Sequence, residues 1–271
     1  MTTEGRGAVA RKEPGKVERI AADLRAKIES GKYAPGAKLP SVSELQAAEA
    51  VAFQTARDVY AALEREGLVI TRHGKGSFVT PFLGKITRDG TGRYQSAARS
   101  EGGARGAFEA ELNRLGLVYK PVPTEIGRDR PPREVAAAFG LHHSAKAVYR
   151  ARAMKAGRDA SDHGFPVQLA TSWFPVEIAG GTKIEEQDTG QGGSKTVLAS
   201  LGYAQRRITE SIEVRFPTPE EAEALAIPED RQVYELVHQA ATAEGRVVEV
   251  AVHIMPATIW RFSYMWELDA D

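Results

Sequence analysis

The chain of 271 residues contains no cysteine. Disulfides, thiolate metal sites and cysteine nucleophiles are therefore excluded, and a reducing compartment such as the cytoplasm fits that composition. No apolar run approaches the ~20 residues that a helical membrane span requires. The opening stretch, MTTEGRGAVARKEPG, carries charge but no apolar segment of the kind found in secretory signals. Nor is there an excess of charge of either sign, since Lys+Arg and Asp+Glu stand at 36 each. Residues 1–80 hold 13 basic residues against 10 acidic ones, a surplus of three that the remainder reverses. So small an asymmetry permits nucleic-acid binding by the N-terminal part without demanding it. What the chain does have is 42% hydrophobic residues and a length that suits two domains.

Residues 1–15 read as a flexible tail, polar and glycine-containing. From Lys16 the pattern changes. Val17, Ile20, Ala21, Leu24 and Ile28 recur at helical spacing, and Gly31 supplies a stop. Ser41 followed by Glu44 is a capping box that starts a second helix. A third spans Gln54 to Glu66, with Ala56, Val59, Tyr60 and Leu63 facing inward. Two short β-favouring runs, Val69 to Thr71 and Ser77 to Thr80, then flank Gly74 and Gly76. Three helices and a hairpin in so short a span make a winged helix-turn-helix. The third helix suits a major groove, and the glycines thin the tip of the wing. Arg72, His73 and Lys75 would meet phosphates or groove edges there.

SGKYAPGAKLPS, ALEREGLV and GKGSFV stand in order across residues 16–80. In these elements the chain resembles the DNA-binding domain of GntR-family transcription regulators, and that resemblance implies a double-stranded DNA operator. The family usually starts its recognition helix with serine then arginine, where this sequence has Ala52 and Phe53, and Ser43 replaces a base-reading arginine of helix two. The DNA-facing set is therefore Ser41, Ser43, Phe53, Gln54, Thr55 and Arg57, together with the wing residues Arg72 to Gly76. Glutamine pairs with adenine, threonine touches a thymine methyl, and arginine favours guanine or phosphate.

Residues 81–93, rich in glycine and charge, read as a linker, and SEGGARG as an entry loop beyond it. From residue 94 to the end the pattern is α+β with short, mostly antiparallel connections. Strands are expected at Tyr119–Ile126, Ala147–Lys155, Pro166–Phe174, Arg206–Phe216, Gln232–Ala241, Val247–Met255 and Thr258–Met265, with helices over Gly106–Leu115 and starting at Pro132, Lys195 and Pro219. An internal repeat is visible. PPREVAAAFGL, AVYRARAM and GFPVQLATSWFP parallel TPEEAEALAI, QVYELVHQ and GRVVEVAVHIMP. Two such units suggest an approximate two-fold sheet with a cleft where the halves meet.

YRARAM, GFPVQLATSWFP, LASLGY and GRVVEVAVHIMP are similar to the UTRA effector-binding domain, related in fold to chorismate lyase, of HutC-type GntR regulators. This resemblance implies a small, often anionic effector and a homodimer joined through the C-terminal domain, acting as a repressor by default. It places effector contacts on Arg150 and Arg152, which share a strand face, and on Ser172 and Glu249. Two other readings stay open here: a lyase-like enzyme with an appended winged helix, and a winged helix that binds only protein. TGQGGSKT lacks the glycine that a phosphate loop needs before its lysine. No catalytic constellation, metal cluster or cofactor motif stands out, so no catalytic residue, metal or cofactor is expected.

Overall fold

The computed structural model describes residues 15–72, 74–80, 85–95, 106–161, 163–190 and 192–268, with the Arg72 side chain excepted. His73, residues 81–84, the entry loop but for Gly106 and all of the expected tail but Gly15 lie outside them. The chain divides into two compact units, Met1–Leu83 and Gly84–Asp271.

In the first unit α1 (Lys16–Glu29), α2 (Val42–Glu49) and α3 (Phe53–Arg65) precede a hairpin of β1 (Val69–Arg72) and β2 (Gly76–Val79). The Glu18 carboxylate accepts from Gly15 N–H at 2.9 Å, and Gly31, at φ +79°, ends the first helix. Ser41 and Glu44 close the box foreseen for α2. Ala50 turns the chain left-handed at φ 46°, a conformation costing an alanine roughly 1–2 kcal/mol, and α3 follows almost at once. The core is Ile20, Leu24, Ile28, Leu39, Leu45, Val59, Tyr60 and Leu63 with both wing strands' Val69 and Val79. Residues just before α2 join the wing: Leu39 N–H donates to Ser77 (2.9 Å) and Val79 N–H to Ala37 (2.9 Å).

In the second unit a short helix, α4 (Ala107–Asn113), which carries the buried Glu111, precedes the strands of a seven-stranded sheet. β4 (Val118–Lys120) and β5 (Glu125–Asp129) both pair with β6 (Ala147–Gly157). The order continues through β7 (Phe165–Pro175), β10 (Val247–Pro256) and β9 (Val233–Ala241) to the edge strand β8 (Arg207–Arg215), antiparallel throughout. The repeat is visible as two hairpins, β6–β7 and β9–β10, joined by β7 and β10. They meet as hydrogen-bonded strands, with Ala251 opposite Ser172, and not across the cleft expected between halves. On one face lie α5 (Arg133–Ala138) and α8 (Pro219–Leu225), the latter started by a Thr218–Glu221 capping box with proline at its first position. The other face packs Val148 and Phe174 against α6 (Val176–Ala179), Ile184 and α7 (Gly193–Ser200).

Two expectations change. Tyr119–Ile126 is not one strand but two short ones, because Pro121 and Pro123 remove ladder donors between them. The span expected as a linker is largely structured: β3 (Ile86–Asp89) pairs in parallel with β11 (Trp260–Ser263), and its buried Ile86 and Arg88 alternate with half-exposed Thr87 and Asp89. The second unit therefore starts earlier than residue 94. Truncating the fully buried Leu63 to alanine is expected to cost the first unit about 2–5 kcal/mol, seen as a lowered first transition in calorimetry with the second unit's transition in place.

Candidate DNA interface and effector site

Helical periodicity sorts the residues of α3. Ala56, Val59, Tyr60 and Leu63 pack inward, so Phe53, Gln54 and Arg57 face solvent, Phe53 at 50% exposure. Thr55 is half-exposed at their margin. It lines a groove of about 540 Å³ with the first turn of α1, Arg25, Arg65 and Glu66. The Gln54 amide donates to Asp58 Oδ1 at 2.8 Å, so an adenine must displace that contact to be read. Ala52 occupies the N-cap without a side-chain bond, which leaves the first N–H groups of α3 free for a phosphate. Tyr60 O–H donates to the Pro40 carbonyl, and Arg25 forks onto Glu66 at 2.7 and 2.6 Å. These contacts fix α3 to the loop before α2 and to α1. Ser41 is spent on its cap, accepting from Glu44 N–H at 3.2 Å, while Ser43 is exposed.

In the wing, Arg72 opposes Gly76, and Thr71 Oγ1 meets Ser77 Oγ at 2.9 Å. Gly74 (φ +69°) and Gly76 (φ +101°) hold the turn in left-handed conformations, and Lys75 is exposed between them. At Gly74 an added Cβ would meet nothing, so the backbone angle, not crowding within the chain, is what requires glycine there.

In the second unit the strand register sets one row of side chains across five strands: Arg150, Ser172, Ala251, His238 and Glu210. Arg152, Ala170 and His253 form the next row. Arg150 and Arg152 thus share a face as expected, but their surroundings differ. Arg150 is buried and its guanidinium donates to the carbonyls of Ile184 (2.6 Å), Glu186 (2.5 Å) and Gln187 (3.3 Å). It holds a loop, with little left for a ligand. Burial, and then Arg152, lowers its pKa from the ordinary arginine value. Glu249 is also engaged, its Oε2 accepting from Gln205 Nε2 at 2.7 Å. Arg152 is half-buried, and Ser172 is buried beside Arg150.

Sequence reasoning missed the cluster that shares this face. Arg88 of β3 donates through Nη2 to Tyr94 Oη (3.0 Å) and to Glu210 Oε1; Tyr94 O–H also donates to Glu210, and lies 3.0 Å from His238 Nδ1. A single hydroxyl proton cannot serve both neighbours, so His238 Nδ1 carries its own. Arg93 donates to Glu111 Oε1 at 2.6 Å, and Gln168 Nε2 lies 3.0 Å from His253 Nδ1. Burial opposes the Glu210 charge, yet His238, Arg88 and Tyr94 together hold its carboxyl well below the usual range. For Arg93 and Glu111 burial wins, lowering the first and raising the second. The turn that presents them is local: Asp89 Oδ1 accepts from Thr91 N–H (3.0 Å) and Gly92 N–H (2.8 Å), and a Cβ on Gly90 would strike the Tyr264 ring at 2.0 Å. The one signal available was the alternation of Ile86 and Arg88 with polar neighbours. Arg88 Nε and Nη1, Arg93 Nε and Glu111 Oε2 are buried without a hydrogen-bond partner.

Comparison with known proteins agrees with this anatomy. Residues 16–79 match the family described as bacterial regulatory proteins, gntR family, and residues 115–260 match the UTRA domain. An uncharacterised helix-turn-helix transcriptional regulator of Streptomyces coelicolor is 33% identical over 242 residues, covering 88% of this chain and 87% of that protein. A crystal structure of a GntR-family regulator superposes with a TM-score of 0.53 at 23% identity, over 95% of this chain and 99% of the other. PhnF from Mycobacterium smegmatis gives 0.55 at 19%, over 92% of this chain and 100% of its own. The Streptomyces coelicolor relative and the matched DNA-binding family are regulators, which sets aside the lyase-like alternative.

Desolvation, with Arg88, His238, Arg93 and Arg152 nearby, pushes His253 well below its ordinary 6.5. The unfolded chain then takes up a proton that the native ring refuses, so stability is full above pH ~6.5 and falls as pH drops below it, by up to about 1.4 kcal/mol per unit. Denaturant titrations between pH 7 and 5 are expected to show that slope, and His253→Gln to flatten it.

Proposed function

Since the chain belongs to the GntR family of bacterial regulators, in the HutC-type branch that joins a winged helix-turn-helix to a UTRA domain, we propose that it is a repressor whose hold on a DNA operator is altered by a small anionic effector. The observation that carries the DNA half is the outward row Phe53, Gln54 and Arg57, in one compact unit with a glycine-tipped wing bearing Lys75. Gln54 and Arg57 have base-edge chemistry, Phe53 suits a thymine methyl, and Ser43 and Lys75 suit phosphates. Thr55, half-exposed, stands at the margin of that row, where it lines the groove beside α1. The effector half rests on the inner sheet face of the second unit, where Arg88, Arg93 and Arg152 outnumber Glu111 and Glu210. The chain passes out of the first unit after Leu83 and is already in β3 at Ile86, two residues before Arg88. A ligand that moves Arg88 therefore acts on the strand nearest in sequence to the DNA-binding unit. Among the described residues no helix is long and apolar enough to cross a membrane, and a cytoplasmic site is the one where an operator is met.

A homodimer completes the reading. β8 is an edge strand of nine residues with no proline, and Ile212, Val214 and Phe216 expose their side chains from one side of it, Val214 at 53% and Phe216 at 61%. An unprotected edge of this kind is a template for strand pairing, and a second copy offers the same stripe about a two-fold axis that an operator palindrome mirrors.

Two experiments test these halves. In gel shifts on DNA flanking its own gene, retardation is expected at 50 mM salt and a loss of affinity of about 10³-fold or more at 200 mM, with Arg57→Ala weakening binding by about 1–3 kcal/mol. No retardation at low salt would end the operator reading. In sedimentation velocity, Val214→Lys is expected to convert a dimer to a monomer; a wild-type monomer, or a dimer untouched by the substitution, would remove β8 as the interface.

A further inference from the structure

Buried polar atoms in folded proteins are almost always partnered, by protein or by water, and a charged network that is only half satisfied is costly. In the second unit the unpartnered buried atoms among the described residues gather mainly at one cluster, with Arg150 Nε and Thr242 Oγ1 the two outside it. Arg88 is 1% exposed, yet its Nε and Nη1 have no partner; Arg93 Nε has none; and Glu111, 3% exposed, keeps Oε2 unbonded. These atoms belong to neighbouring groups. Arg88 acts electrostatically on Arg93 and on Glu111, Arg93 donates to Glu111, and Arg88, Arg93 and Arg152 all act on His253. The unpartnered atoms of this cluster are of two kinds. Three are guanidinium donors, which ask for an anion; one is a carboxylate acceptor, which asks for a donor.

We infer that the ligand of this face is a small molecule carrying both an anionic group and a hydrogen-bond donor, the anion set against Arg88 and Arg93 and the donor against Glu111 Oε2. This rests on the reading of the second unit as an effector domain. It differs from what the strand arginines alone would give. The two Nη atoms of Arg150 are taken by three carbonyls, so the anion is held by residues of β3 and of the turn after it, with Arg152 the cation of the neighbouring row on the sheet. A simple anion would satisfy the arginines and leave Glu111 Oε2 bare beside an added negative charge. A ligand with an ammonium or hydroxyl arm removes both defects, since each charge-assisted contact is roughly twice as strong as a neutral one. Specificity follows from the same asymmetry: a site built around a buried acceptor rejects an analogue that cannot donate to it.

Isothermal titration of the full chain with four probes tests this. Ethyl phosphate, fully ionised at pH 8, and propionate carry only the anion; O-phosphoethanolamine and β-alanine add the donor, and the two pairs separate a phosphate group from a carboxylate. In at least one pair the donor-bearing probe is expected to bind about tenfold tighter than its simple counterpart, the worth of one hydrogen bond to a charged group. Glu111→Gln should erase that advantage and leave the simple anion's affinity standing; Arg93→Gln should weaken both, with circular dichroism confirming that each variant is folded. Equal affinities within both pairs, no binding by any probe, or an advantage that survives Glu111→Gln would overturn the inference. If some other small molecule still releases DNA in a gel shift, the effector reading outlives that result; if none does, both fall.

Discussion

The contact between Arg88 and Glu210 is the constraint on which the second unit's organisation depends. A guanidinium at 1% exposure on β3 is neutralised by a carboxylate from the far edge strand, and Tyr94 and His238 complete the set. Removing a single partner from such a buried pair leaves a bare charge and costs about 3–5 kcal/mol, while an apolar replacement of both is often neutral. The pair is thus weak as a stabiliser and strong as a specifier. It sets which residue of β3 points inward, and so the register against Trp260 to Ser263, and it holds Arg93 over Glu111 through the Asp89 turn.

The first unit solves a different problem by different means. Its core is apolar throughout, and charge is confined to the surface, where Arg25 and Glu66 close α1 on the end of α3. That leaves the outward row of α3 free of structural duty apart from the Gln54–Asp58 contact. A helix begun by Ala52 forgoes a capping bond worth roughly 0.5–2 kcal/mol. A phosphate at that helix start would supply what the missing side chain does not.

Local rules made the first unit legible. The capping box at Ser41, inward spacing on α1 and α3 and the glycine-flanked hairpin depend on residues within a few positions of one another. The repeat, too, was readable, because each half is a helix and a hairpin in sequence order. What stayed hidden was non-local. β3 is four residues long and pairs in parallel with a strand more than 170 residues away, so composition made it resemble a linker. Arg150 and Glu249 carry ligand-binding chemistry in a sequence, and only the fold reveals that carbonyls of residues 184–187 and the Gln205 amide already occupy them. Thr55 stands at the margin of the DNA row for a simpler reason: it lies one position beyond Gln54, which turns it about 100° further round the helix.

The double-mutant cycle of Arg88→Met and Glu210→Gln, read as unfolding free energy of the second unit, probes the central contact directly. A coupling of about 2 kcal/mol or more, with the double variant recovering much of the single losses, is the result this account requires. Losses that add to within ~0.5 kcal/mol would show that the two residues act independently, and would contradict it.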